Sequence, residues 1–152
     1  MQGHSAFAPI AALMFLTGIG IPIMATWNSA LGQQLGSASA ATAVLFAVGA
    51  VLAVVVMVIA GGVPAASSLT VGKPHIYFGV VFMLFYALSI TWAGPRIGIG
   101  NAVFFVLLGQ LVAAALIDHF GLWGALKTEI TGKRMLGLAV MALGVYLARK
   151  PA

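Results

Sequence analysis

Five long apolar stretches, with nearly every charge confined to the gaps between them, constrain this chain more than any other feature. They read as roughly Phe7–Leu31, Ala40–Ile59, Ile76–Trp92, Ile97–Ile117 and Met135–Ala148. A hydrocarbon slab of about 30 Å asks for about 18 or more apolar residues of helix. Lipid gives backbone N–H and C=O groups no water to bond, so each stretch must satisfy its own hydrogen bonds as a helix. A composition of 62% hydrophobic and 6% charged residues is too apolar for one water-soluble core. The expectation is an all-α, polytopic membrane protein: five transmembrane helices in a single domain over residues 1–152.

Composition also sets aside several functions. The net charge of +5 comes from seven Lys and Arg against two acids, and most of these cations flank spans, where they face lipid headgroups. A nucleic-acid partner is not expected. The chain has no cysteine, which excludes disulfides, thiol catalysis and Cys-ligated zinc. His4, His75 and His119 lie at ends or loops without ligand spacing, and no Ser or Thr has an acid–base partner in the pattern. The expectation is therefore no enzyme, no metal and no cofactor. The first stretch lacks a basic segment before Phe7 and outruns a signal-peptide core, so it is expected to remain in the mature protein.

Turn chemistry fills the gaps: Gly32-Gln33-Gln34 with the Ser/Ala run after it, Gly61-Gly62-Val63-Pro64 through Lys73-Pro74, and a tight turn at Ala93-Gly94-Pro95-Arg96. The fifth stretch is short, and Lys133, Arg134, Arg149 and Lys150 are placed to snorkel from its ends. With five crossings, Lys73, Lys127, Lys133 and Arg134 fall on the N-terminal side and Arg96, Arg149 and Lys150 on the other. Lys and Arg near span ends set orientation, and this distribution scarcely favours one. The expected consequence is dual insertion and an antiparallel dimer, against a single topology in which the last helix follows its neighbours.

Small residues let lipid-embedded helices approach. Gly137 and Gly144 lie one heptad apart with Met141 between them, a stripe suited to a partner helix and hence a candidate dimer seam. Ala43, Ala47 and Ala50 form a similar row. Pro22, after Gly18 and Gly20, cannot donate to the Gly18 carbonyl; it is either a hinge lining a cavity or a tolerated bend.

No charged side chain lies deep in a span, which argues against the simplest proton-exchange scheme, since a mid-membrane carboxylate is the default coupling site. The polar candidates are the amides Asn28, Asn101 and Gln110, joined by Trp27, Tyr86 and Trp92. Buried amides need partners, so they are helix–helix glue or solute contacts. Of these, Gln110, Asn28, Asn101, Trp27 and Tyr86 are the expected substrate-binding set, and Trp92 reads better as an interfacial anchor. Asp118, close to the membrane boundary, either relays protons or pairs with Lys133 or Arg134.

These residues together resemble the YdcZ-type five-helix family of the drug/metabolite transporter superfamily. The resemblance runs along essentially the whole chain. It rests on Asn28-Ser29-Ala30-Leu31-Gly32, Gly94-Pro95-Arg96-Ile97-Gly98, Gly109-Gln110-Leu111, Asp118-His119-Phe120-Gly121, Arg134-Met135-Leu136-Gly137 and Gly144-Val145. The last helix also looks like the dimerising helix of small multidrug resistance proteins. The resemblance implies a transporter of the bacterial inner membrane that works as a pair of five-helix units. Two departures stand out: Met24 lies where family members commonly carry Gln, and Phe78-Gly79-Val80 has one glycine of a usual pair.

The function expected is transport of a small organic solute by alternating access. The chain would act as an antiparallel homodimer or with a related partner, around a cavity lined by the first four helices. The alternative is a non-transporting scaffold or accessory subunit of a larger membrane complex, whose amides would be buried glue.

Overall fold

The protein, here a computed structural model, is described over residues 3–63, 65 and 74–148. Pro64, Lys73, Arg149 and Lys150, invoked above in turns and flanks, lie outside the described residues. The chain divides into two units, Met1–Arg96 and Ile97–Ala152. Every described segment of regular structure is helical.

The first unit carries α1 (Gly3–Gln34), α2 (Ala38–Ala60) and α3 (Gly79–Ile97), the last preceded by a 3-10 turn at Pro74–Phe78. α1 runs as one helix through Pro9 and Pro22. The ring of Pro22 removes one backbone donor, and no neighbour crowds Gly18 or Gly20. α1 extends past the expected end at Leu31 and closes at Gly36, whose φ of +63° suits glycine. Ser37 N–H bonds the Gly32 carbonyl at 2.9 Å and Gly36 N–H bonds the Gln33 carbonyl at 3.2 Å, the paired bonds of a Schellman close. Ser37 then caps α2: its hydroxyl accepts the Ala40 N–H at 3.1 Å. Three residues thus end one helix and start the next.

The expected turn at Ala93–Arg96 is instead helical, and α3 continues to Ile97. Pro95 sits near the C-terminal end, where a missing N–H costs least continuity. The Arg96 guanidinium donates to the Trp92 carbonyl, four residues back on the same helix. The break falls at Gly98, with φ +84°.

The second unit holds α4 (Ile99–Phe120), a 3-10 turn at Leu122–Gly124, and α5 (Gly132–Ala148). Gly121, with φ +61°, ends α4. Trp123 adopts φ +54°, a conformation bulky side chains rarely take. α5 begins earlier than the expected Met135 but still has 17 residues, about 25 Å at 1.5 Å per residue. Four helices, α1 from Phe7 onward, α2, α3 and α4, are long and apolar enough to cross a membrane.

The packing is inverted relative to a water-soluble protein. Among the described residues the buried apolar side chains are Ala25, Ala41, Ala87, Ile90, Ala102 and Ala115, nearly all small. Large apolar residues such as Phe15, Val55, Phe82 and Leu147 lie outside, where a lipid tail is as good a neighbour as Leu.

Candidate functional site

In α1, Ala25, Asn28, Ser29 and Gly32 are buried, and their spacing of three, four and seven residues places them on one helix face. Facing small residues come from α2, at Ala41 and Thr42, and from α3, at Ala87, Thr91 and Gly94. The helices approach closely at Gly32, where an added Cβ would meet Thr91 Cγ2 at 3.0 Å and Ala41 Cβ at 3.7 Å. The row expected at Ala43, Ala47 and Ala50 is exposed. The packing face of α2 begins at Ala41 instead.

A polar chain crosses this seam. Asn28 Nδ2 donates to Thr91 Oγ1 at 2.5 Å, and Thr91 Oγ1 donates to the Ala87 carbonyl at 2.6 Å. The amide is 5% exposed and the threonine 3%, so the link is made where water competes least.

Two apolar clefts flank the chain. One, of about 530 Å³, lies along α1 and α2 and is lined by Met24, Trp27, Asn28, Leu31 and Leu45 among others. The other, of about 500 Å³, draws on all three helices, through Met24, Leu45, Gly49, Ala50, Met83 and Tyr86. Met24 and Leu45 belong to both. Trp27 is well exposed, as a side chain on an open cleft wall must be. The Tyr86 hydroxyl is buried and has no hydrogen-bond partner. Three of the five expected substrate-binding residues, Trp27, Asn28 and Tyr86, therefore line neighbouring clefts of the first unit. These clefts have the apolar lining with few polar groups that small organic ligands use.

Gln110 and Asn101 belong to α4 in the second unit. Gln110 is exposed, and Asn101 Nδ2 donates to the Ile97 carbonyl at 2.9 Å. Trp92 is also exposed, and the Arg96 guanidinium stacks over its ring at 4.2 Å. Pro22 is half-buried inside continuous α1.

Asp118 accepts a hydrogen bond from Arg134 Nη2 at 2.7 Å, with both side chains about a third exposed. Of the two partners expected for Asp118, Lys133 or Arg134, the arginine makes the pair. The loop is fastened further: Thr128 N–H bonds the Asp118 carbonyl at 2.8 Å, and Ile130 N–H bonds His119 Nδ1 at 3.2 Å. The Asp-His-Phe-Gly run thus ends α4 and holds the chain returning to α5. Gly137, Met141 and Gly144 lie on the exposed surface of α5.

Sequence reasoning missed Thr91, Ser29 and Thr42 as packing residues. The signal for Thr91 was the spacing Ala87, Thr91, Gly94, a small-residue stripe at four and seven that marks the contact face of α3. Met24 was noted as a departure; its place in both clefts is new.

Residues 9–147 match the model of a family described as "Putative inner membrane exporter, YdcZ". No curated protein and no solved structure matches significantly. With its long apolar helices, the chain is a multi-pass membrane protein, and the family it matches is described as one of exporters, which are transporters rather than enzymes.

Proposed function

The chain belongs to the YdcZ family of inner-membrane exporters, and we propose that it exports a small aromatic solute, neutral or singly cationic, from the bacterial cytoplasm across the inner membrane. The observation that carries the solute class is the pair of clefts sharing Met24 and Leu45, apolar apart from Asn28 and Tyr86. Trp27 and Tyr86 offer ring faces to an apolar or cationic group. Asn28 and the unpartnered Tyr86 hydroxyl offer the few hydrogen bonds that orient it. Residues 1–96 contain no Asp or Glu, so within this unit a cation would be held by aromatic faces and neutral oxygens, with no carboxylate. Met24 occupies the shared wall and sets how deep the solute sits. Gln110 and Asn101 are the remaining amide candidates, each tested by its own alanine variant.

The transporting species in this proposal is an antiparallel pair, either two copies or this chain with a homologous subunit, with α5 crossing the membrane and its Gly137, Met141 and Gly144 stripe at the seam. Pro22 and its glycines serve as the hinge of alternating access. Asp118 serves as the loop fastener.

The test uses Trp27 as a reporter. Trp92→Phe/Trp123→Phe protein in lipid nanodiscs is titrated with ethidium and with benzamide. The reading predicts saturable quenching of Trp27 fluorescence by at least one of them, weakened about tenfold by Asn28→Ala, about the effect of one lost hydrogen bond. Linear, non-saturating quenching that ignores Asn28→Ala would remove the site.

A further inference from the structure

A third cleft, of about 490 Å³, shares no lining residue with the other two. It lies where α1 ends, α2 begins and α3 ends, lined by Ser29, Gln33, Ser37, Ala38, Trp92 and Arg96 among others. We propose that it binds an anionic oxygen group, a phosphate or a carboxylate, held by the Arg96 guanidinium, the Ser29 hydroxyl and the N-terminus of α2.

Four observations converge on that chemistry. Arg96 is the cleft's one charged residue, and residues 1–96 contain no acid to neutralise it. Its guanidinium is oriented by stacking on Trp92 at 4.2 Å and by its bond to the Trp92 carbonyl. A guanidinium has five N–H donors in a fixed fork, so most remain to be used.

Ser29 is 4% exposed and its Oγ has no partner. Thr42 in α2 shares that state, whereas other helical hydroxyls of this unit do not. Thr17, Thr26 and Thr91 each donate to the carbonyl four residues back, the usual outlet for a helical hydroxyl. Ser29 forgoes the Ala25 carbonyl. A buried, unpaired hydroxyl is costly, and an anionic oxygen supplies what it lacks.

The helix ends are also unequal. At the end of α1 the carbonyls of Leu31, Gly32 and Gln33 are answered by the N–H groups of Leu35, Ser37 and Gly36. At the start of α2 the Ser37 hydroxyl takes the Ala40 N–H, while the Ala38 and Ser39 N–H groups have no carbonyl within the helix to reach. Between α1 and α2 the open groups are therefore the donors of α2, which is long enough to carry a full dipole.

The anion has two possible sources: the phosphate of a phospholipid headgroup, since the cleft lies at helix ends, or a free anion from solution. One experiment separates them. Purified full-length protein in dodecyl maltoside is melted, followed by tryptophan fluorescence, with added dioleoyl-phosphatidylglycerol, with inorganic phosphate and with acetate. Bound lipid is counted by native mass spectrometry. A raised midpoint with retained phosphatidylglycerol assigns the site to a headgroup; a raised midpoint with phosphate or acetate but not with lipid assigns it to a free anion. In either case Arg96→Gln and Ser29→Ala should each weaken the effect about tenfold. Ser29→Ala keeps the Arg96 bond to the Trp92 carbonyl, so it reports even if Arg96→Gln folds poorly. No shift with any of the three probes, or an equal shift in Ser29→Ala, overturns the proposal.

Discussion

At the scale of single residues, hydroxyls and glycines decide how closely the first three helices pack. Thr91 both accepts from Asn28 and donates to its own helix, so its one donor and one of its lone pairs are used inside the seam. Thr42 is 1% exposed and its Oγ1 is buried without a partner. A buried hydroxyl that bonds nothing costs about 1–3 kcal/mol against an apolar group of the same shape. Thr42→Val, which keeps the shape, should therefore raise the melting midpoint in detergent, by about 1 kcal/mol of stability. A lower midpoint would mean that Thr42 has a bonding partner in a larger assembly. Gly32 shows the opposite constraint. With Thr91 Cγ2 3.0 Å from where its Cβ would stand, the approach of α1 to α3 is set by the absence of a side chain.

At the scale of elements, the sequence marked every long helix, because the hydrocarbon slab demands an apolar run that nothing else in the chain imitates. Ends were less legible. Pro95 reads as a breaker, yet α3 continues through it, because near a C-terminus the lost N–H matters little and the break falls at Gly98, whose φ of +84° suits glycine. Gln33 and Gln34 read as a turn, yet the Schellman close lies at Gly36. The site was legible in part for the same reason. Aromatics and amides stand out in an apolar span, which drew attention to Trp27, Asn28 and Tyr86. Serine and threonine do not, and whether a hydroxyl bonds its own helix or another depends on tertiary placement. The loop after α4 allows a direct energetic test. Asp118 and Arg134 are about a third exposed, so their pair is worth about 0.5 kcal/mol. Asp118→Asn and Arg134→Gln should each cost about that much, and the double variant no more than either single one in a double-mutant cycle. Fully additive losses would show that the two groups act separately.

At the scale of the whole molecule, the small buried side chains and large exposed ones describe a protein finished by lipid and, in the proposal above, by a second subunit. The even spread of Lys and Arg motivates dual insertion, and the absence of cysteine makes that testable. Single cysteines placed at either terminus should react with membrane-impermeant maleimide from both faces of the membrane; labelling from one face only would remove the antiparallel pair. The central claim is export itself, and flux in liposomes containing this protein alone tests it most directly. Vesicles are loaded in turn with neutral and singly cationic aromatic solutes, ethidium and benzamide among them, and efflux is compared with protein-free vesicles. The account predicts faster, saturable efflux of at least one solute, slowed by Asn28→Ala and by Trp27→Ala. Efflux at the protein-free rate for every solute would contradict it and leave the chain a membrane scaffold.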